Sequence, residues 1–370
     1  MKLIAHVARF IVGIIFLISG FVKIVDPIGT AIKLEEYFAV FSADLPFLAS
    51  FFAFLSQGAL ILSFLLIVLE IALGIALLIL YKMNWTALGL LILIIVFTFL
   101  TGYSAILDRV TDCGCFGDAL KLTPYQSFFK DLVLTVLILS IYFYRKSFNV
   151  IFSHKTGSIV VCVSILMTTL FGYYNVSHLP VIDFRPYKIG NNIPELMDDG
   201  EAATYKYVFT NENNGEQIIS EKYIMADSLK YDTVLVEGGK EPTIPDFDLR
   251  NENDETQNNL VLKGDVFVVV VKDFAKIDAD VLQRLNTLSK EAKEKSVPVY
   301  YLITSSYSEF HQFIEKTPLV LTKALKIDAT VAKAFIRSNP GLVFLKDGTV
   351  VNKWHYNDFP KTIKNVIKHD

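Results

Sequence analysis

The chain lacks what several protein classes require. Three cysteines in 370 residues, at positions 113, 115 and 162, are too few for a disulfide scaffold. Nineteen glycines and twelve prolines exclude a fibrous or low-complexity chain. Lysine and arginine number 35 against 38 acidic residues, so no basic excess points to nucleic acid. Charged residues make up only 20% of the sequence and hydrophobic residues 52%. A soluble globular chain carries about 25% charged residues, so this chain is too apolar to be wholly soluble. The same balance rules out intrinsic disorder.

What is present is unevenly spread. Before Pro180 there are 9 acidic and 11 basic residues; from Pro180 onward there are 29 and 24. A membrane part therefore precedes a soluble, acidic part. A bilayer-spanning helix needs about 20 mostly apolar residues. Five stretches qualify, at 3–25, 59–80, 85–107, 125–144 and 158–176. The first has no small-x-small cleavage site and too long an apolar run for a signal peptide, so it reads as a retained anchor. The stretch 38–54 is aromatic and apolar but broken by Asp44 and Pro46, which predicts an interfacial or re-entrant element. With the N-terminus in the cytoplasm, the inner flanks hold Lys2, Arg9, Lys82, Arg145, Lys146 and Lys155 and no acid. That is the positive-inside pattern. Five spans then put the C-terminal part outside the cytoplasm, which in a bacterial inner membrane is the periplasm.

Cys113 and Cys115 are separated only by Gly114, in the outer loop between spans three and four. Glycine permits the backbone strain that so small a ring requires. A strained, exposed disulfide is easily reduced and suits redox exchange. A disulfide that only pins the loop, free thiols and a metal site remain open; structural zinc wants four ligands and no histidine lies nearby. Cys162 falls near the inner end of span five, roughly 20 Å or more from the pair, beyond disulfide reach. It reads as a small buried apolar residue.

Glu70 sits in the middle of span two. A carboxylate there costs several kcal/mol unless paired or protonated, so it must face the bundle interior. Lys23 near the outer end of span one, and Lys130 and Asp131 in span four, are the partners within reach. A polar lock between helices and a proton- or quinone-linked role both fit these residues.

These residues resemble a known family. Arg9-Phe10, Phe16 through Pro27, Glu36-Tyr37, Glu70 and the Cys113-Gly114-Cys115-Phe116-Gly117 loop look like the DoxX/MauE membrane family, over residues 1–144. The resemblance implies a four-helix bundle similar to vitamin K epoxide reductase. It also implies a role beside a thioredoxin-like partner in maturing a disulfide-rich periplasmic dehydrogenase. The fifth span lies outside that pattern and is expected to tether the C-terminal half of the chain.

In the soluble half, 180–240 reads as a small juxtamembrane β-subdomain. Strands at 205–210 and 216–220 flank Asn211 through Gly215, a hairpin signature, and 233–236 is a further strand. From 241 the pattern alternates. Val266 through Val271 is a continuous apolar run, as in a central strand. A helix at 279–295, a strand at 297–304, a helix at 308–316, a hairpin of 342–345 with 350–354 and a closing helix at 359–368 complete it. That order is the order of a thioredoxin fold.

Two segments resemble the thioredoxin-like class further. Thr243 through Leu249 is similar to the entry segment of TlpA-like and peroxiredoxin-like domains, and Asn339-Pro340-Gly341 to the cis-proline loop. The departure is decisive: where that family carries Cys-x-x-Cys, this chain has Lys272-Asp273-Phe274-Ala275, and no cysteine comes after Cys162. This domain can do no thiol chemistry. The resemblance leaves a peptide-facing groove with Arg337, Ser338, Asn339, Pro340 and Trp354 as its expected walls.

The expected architecture is therefore a membrane α-helical bundle (residues 1–179, four DoxX/MauE-like helices plus a fifth tethering span), a small β-rich subdomain (180–240) and an α/β thioredoxin-like domain (241–370). The expected function is an inner-membrane accessory factor. Its periplasmic binding module would assist folding, maturation or export of envelope proteins. Expected partners are the lipid bilayer, exported proteins, an envelope thiol protein or a translocation complex, and no nucleic acid. The alternative is a quinone-linked thiol–disulfide oxidoreductase with Cys113 and Cys115 as the redox pair and a quinone as cofactor. Small-molecule transport around Glu70 is a third reading.

Overall fold

A computed structural model describes residues 2–107, 117–120, 122–211, 217–222, 224, 229–317 and 323–366. The chain divides into two compact units, Met1–Phe184 and Arg185–Asp370.

The N-terminal unit is helical. Helix α1 (Lys2–Val25) ends at Asp26, whose carboxylate accepts from Gly29 N at 2.9 Å and starts α2 (Pro27–Asp44). Proline at the first helical position suits that start, because its missing N–H would have no partner there. The chain breaks at Asp44 and Pro46, as the sequence anticipates. A 3₁₀ turn (Pro46–Leu48) and the short α3 (Ala49–Gln57) come next, and no residue of α3 is buried. Then come α4 (Ala59–Leu78), α5 (Met83–Leu107), α6 (Pro124–Tyr144) and α7 (His154–Ser177). Thr123 and Gln126 form a capping box at the start of α6, and Ser153 caps α7. Among the described residues, five helices are long and apolar enough to cross a membrane: α1, α4, α5, α6 and α7. The helical character of 27–37 carries no strong apolar signal. It results from burial of Ala31, Leu34 and Tyr37 against the neighbouring helices.

Helices associate in lipid by close packing, so small residues mark the contacts. A side chain at Gly20 would place its Cβ 2.5 Å from Ile71, and one at Gly74 would sit 3.3 Å from the Gly13 carbonyl. These contacts set α1 antiparallel against α4. Helix α7 docks as well: a Cβ at Gly172 would clash with Ile24, and Asn175 Nδ2 donates to the Ile24 carbonyl at 3.1 Å. The fifth span is thus packed onto α1 and α4. It buries only Gly157, Gly172 and Asn175. Cys162 is exposed on it, and the burial expected from the sequence is corrected accordingly.

The C-terminal unit begins with a short helix α8 (Ile193–Met197) and a three-stranded antiparallel sheet, order β2-β1-β3, of β1 (Glu201–Asn211), β2 (Gln217–Ser220) and β3 (Leu229–Lys240). After α9 (Asn259–Leu262) comes a five-stranded sheet of β4 (Asp265–Val271), β5 (Val299–Ile303), β6 (Ala324–Lys326), β7 (Gly341–Lys346) and β8 (Thr349–His355). Its order is β6-β5-β4-β7-β8; β4, β5 and β6 are parallel, β7 pairs antiparallel with β4, and β8 pairs antiparallel with β7. Helices α10 (Ala279–Glu294), α11 (Tyr307–Lys316) and α12 (Ala329–Phe335) connect the strands. Every residue of β4 after Asp265 is buried, which is why its sequence is a continuous Val/Phe run. Phe267, Val269 and Val271 pack with Val281, Leu285 and Leu288 of α10 and Phe310 of α11. The closing helix expected at 359–368 is corrected. Among the described residues that segment is a loop with one 3₁₀ turn, Ile363–Asn365. Glu291 ties it to α10, accepting from Thr362 Oγ1 at 2.7 Å and Ile363 N at 2.9 Å.

Two outcomes are expected. Gly20→Leu should lower the melting midpoint of the full chain in detergent by the equivalent of about 1–3 kcal/mol, from overpacking against Ile71. Gly58→Ala, where only the Leu55 carbonyl lies nearby, should not. The second concerns acid. The Thr362 hydroxyl, then the Ile363 N–H, hold the Glu291 carboxyl below its ordinary value. A depressed folded-state value stabilises above the unfolded value, 4.5, and that contribution is lost as pH falls through the folded one. Unfolding followed from about pH 3 to about pH 6 should therefore show a shallower acid slope in Glu291→Gln.

Candidate functional site

The close approach of α1 and α4 brings one buried charge from each helix together. Lys23 Nζ lies 2.8 Å from Glu70 Oε2, with both side chains nearly inaccessible. Of the partners within sequence reach of Glu70, Lys23 is the one it takes. The ammonium also sits 4.6 Å from the centroid of the Phe97 ring on α5. Asp131 pairs elsewhere. It is fully buried on α6, accepts from Thr101 Oγ1 at 3.0 Å and forms an ion pair with its neighbour Lys130. Lys23, Glu70 and Thr101 line one cavity together with Thr30, Lys33 and Tyr37 of α2 and apolar side chains such as Leu34, Leu66, Ile67 and Phe97. Helices α1, α4, α5 and α6 thus each contribute a charged or hydroxyl side chain to a polar layer within an apolar bundle. The arrangement can hold a hydrogen-bonding group of an apolar molecule against an ion pair. Cys113 and Cys115 lie outside the described residues.

In the C-terminal unit a second site forms where the chain leaves β4. Asn339 Oδ1 accepts from Lys272 N at 2.7 Å and Asp273 N at 3.1 Å, and its Nδ2 donates to the Asp273 carbonyl at 2.8 Å. The Asn339–Pro340 peptide is cis, as expected. Lys272 Nζ donates to the Ile336 carbonyl at 3.0 Å, and Thr304 Oγ1 donates to the Lys272 carbonyl at 3.0 Å. One asparagine therefore fastens the loop after β4 to the turn before β7, and Thr304 fastens the loop after β5 to the loop after β4.

Three of the groove walls expected from the sequence are not open surface. Ser338 is buried; its hydroxyl donates to the Pro340 carbonyl at 2.6 Å and accepts from Tyr356 N at 3.0 Å. Arg337 is buried and donates to the Lys333 carbonyl. Trp354 is half-buried against the core of the sheet. An open groove borders the Lys272–Ala275 loop. It is lined by Lys272, Asp273, Phe274, Ser305, Phe313 and Lys316, with the Phe274 and Phe313 rings 4.6 Å apart. The signal that could have found it is topological, since these residues come after the carboxyl ends of two adjacent parallel strands, β4 and β5. Among the described residues, no group of three His, Cys, Asp or Glu side chains could hold a metal ion.

Residues 1–144 match the family model of the methylamine utilisation protein MauE. The match ends with α6, so the MauE-like part is the set of helices that carries Lys23, Glu70, Thr101 and Asp131, while α7 and the whole C-terminal unit lie beyond it. With five apolar helices, the match makes this a membrane protein. No curated protein and no solved structure matches the chain.

The ion pair in the MauE-like part should behave as a unit. Removing one partner leaves an uncompensated buried charge, so Glu70→Leu should cost about 3–5 kcal/mol in detergent unfolding. Lys23→Met combined with Glu70→Leu should recover most of that loss. Additive single effects would show that the two charges do not interact.

Proposed function

We propose that this protein is a membrane-embedded accessory factor whose C-terminal unit holds extended segments of exported proteins while they fold or mature. The unit from Glu241 to Asp370 is read as a thioredoxin-like module from which the thiols are gone. The observation that carries this is the join made by Asn339. A cis-proline turn, the loop after β4 and the loop after β5 are bound into one surface, and the position a redox motif would take holds Lys272-Asp273-Phe274-Ala275. The sheet order, three parallel strands followed by two antiparallel pairings, β4 with β7 and β7 with β8, supports the same reading. Phe274 and Phe313 give the groove an apolar floor for a side chain, and Lys272, Asp273 and Lys316 give it polar rims. The basic flanks at one end of the helices support an orientation with this unit outside the cytoplasm, in the periplasm of a bacterium. The MauE match supports an accessory role in maturation, with methylamine dehydrogenase as the kind of client the family suggests.

A second reading is favoured by the cavity beside Lys23 and Glu70. In it Cys113 and Cys115 pass two electrons and two protons to a quinone in the bundle, closing a disulfide and releasing a quinol. The partner that reduces the pair is then an envelope dithiol protein.

Photocrosslinkers placed at Gln312 and Lys316 in cells should trap exported proteins. Phe274→Asp with Phe313→Asp should abolish the trapping and the maturation phenotype, while Cys113→Ser with Cys115→Ser leaves both in place. The reverse pattern, with groove variants active and serine variants inactive though abundant, would overturn the binding-module reading in favour of the redox one.

A further inference from the structure

We propose that one end of the helical unit is a binding surface for anionic phospholipid. Three contacts gather its segments. The His6 ring meets Phe148 edge-on at 4.8 Å, which joins the start of α1 to the α6–α7 connection. Arg9 Nη1 donates to the Leu78 carbonyl at 3.3 Å, which joins α1 to the end of α4. The hydroxyls of Tyr81 and Ser158 lie 2.7 Å apart, which joins the α4–α5 turn to the start of α7.

The charge of this end has one sign. Arg9, Lys82, Arg145, Lys146 and Lys155 converge here, and no acidic residue occurs in 2–25, 79–92 or 141–160. Among the described residues none of the five makes an ion pair. Lys82, Lys146 and Lys155 are exposed. Arg9 is more than nine-tenths buried at the level of the α4–α5 turn, and its Nε has no hydrogen-bond partner.

The occupant is indicated by the aromatic side chains at the same level. Trp85 and Phe143 are each 73% exposed, and Lys82 and Arg145 lie over the rings of Tyr81 and Tyr142 at 5.4 Å and 3.9 Å. Tryptophan and tyrosine in membrane helices concentrate at the headgroup layer, so Trp85, Tyr81 and Tyr142 set these bases where lipid phosphates are. A zwitterionic headgroup brings its own ammonium and offsets little of the charge. A net anionic headgroup supplies the missing counter-ion, and basic pockets between spans take such headgroups. An acidic protein segment would meet the charge but not the lipid-facing aromatics.

The full chain in neutral detergent would be titrated with phosphatidylglycerol and with phosphatidylcholine of the same acyl chains, and bound lipid counted by native mass spectrometry. The native chain should retain phosphatidylglycerol in preference. Each surface base contributes up to about fivefold, so K82Q/K146Q/K155Q should reduce that preference by about tenfold or more. K82R/K146R/K155R should keep it, which separates charge from folding. Equal retention of both lipids by the native chain overturns the proposal, as does an undiminished preference in the glutamine variant. Displacement of phosphatidylglycerol by a polyglutamate peptide at equal concentration also overturns it, assigning the surface to a protein partner.

Discussion

The approach of α1 to α4 is the constraint on which the helical unit depends. Glycines at 13, 20 and 74 remove the side chains that would hold the two helices apart. Only at that separation does Lys23 reach Glu70. Without the pairing, each charge would be left buried and uncompensated, which is costly inside a largely apolar bundle. The cavity, the position of α2 over it and the docking of α7 on the same two helices all depend on that contact.

The C-terminal unit is organised by a different device. Its core is a strand buried on both faces, yet the groove is governed by an uncharged side chain, Asn339, which bonds to three backbone atoms of the loop opposite. The shape of that surface rests on amide hydrogen bonds and not on a disulfide. These contacts therefore do not depend on the redox state of the compartment.

Much of this was legible in the sequence, for identifiable reasons. The five apolar helices were, because a bilayer span imposes length and composition together. So was the Glu70 partnership, because a mid-span carboxylate has few polar neighbours to choose from. The run Val266 through Val271 announced a central strand. Other features were hidden. The stretch 27–37 carries Lys33, Glu35 and Glu36, so its amphipathic burial left no apolar run to read. Arg337 and Ser338 are polar in sequence, and nothing there shows that in space both are buried and bonded to backbone partners. The final segment has the composition of a helix, but Pro360 and the Glu291 contact hold its start in an extended path.

Asn175 has a mechanical consequence. Near the end of α7 its Nδ2 donates to the Ile24 carbonyl at the end of α1, while its Oδ1 accepts from Val181 N at 3.0 Å. The strand of polypeptide that leaves the helices is thus clamped to the end of α1 as well as to the helix it emerges from. Tension applied beyond Val181 is divided between two membrane anchors, and a tilt of α1 is transmitted directly to the emerging chain. A single asparagine thus couples the ion-paired helix to the chain that leaves α7.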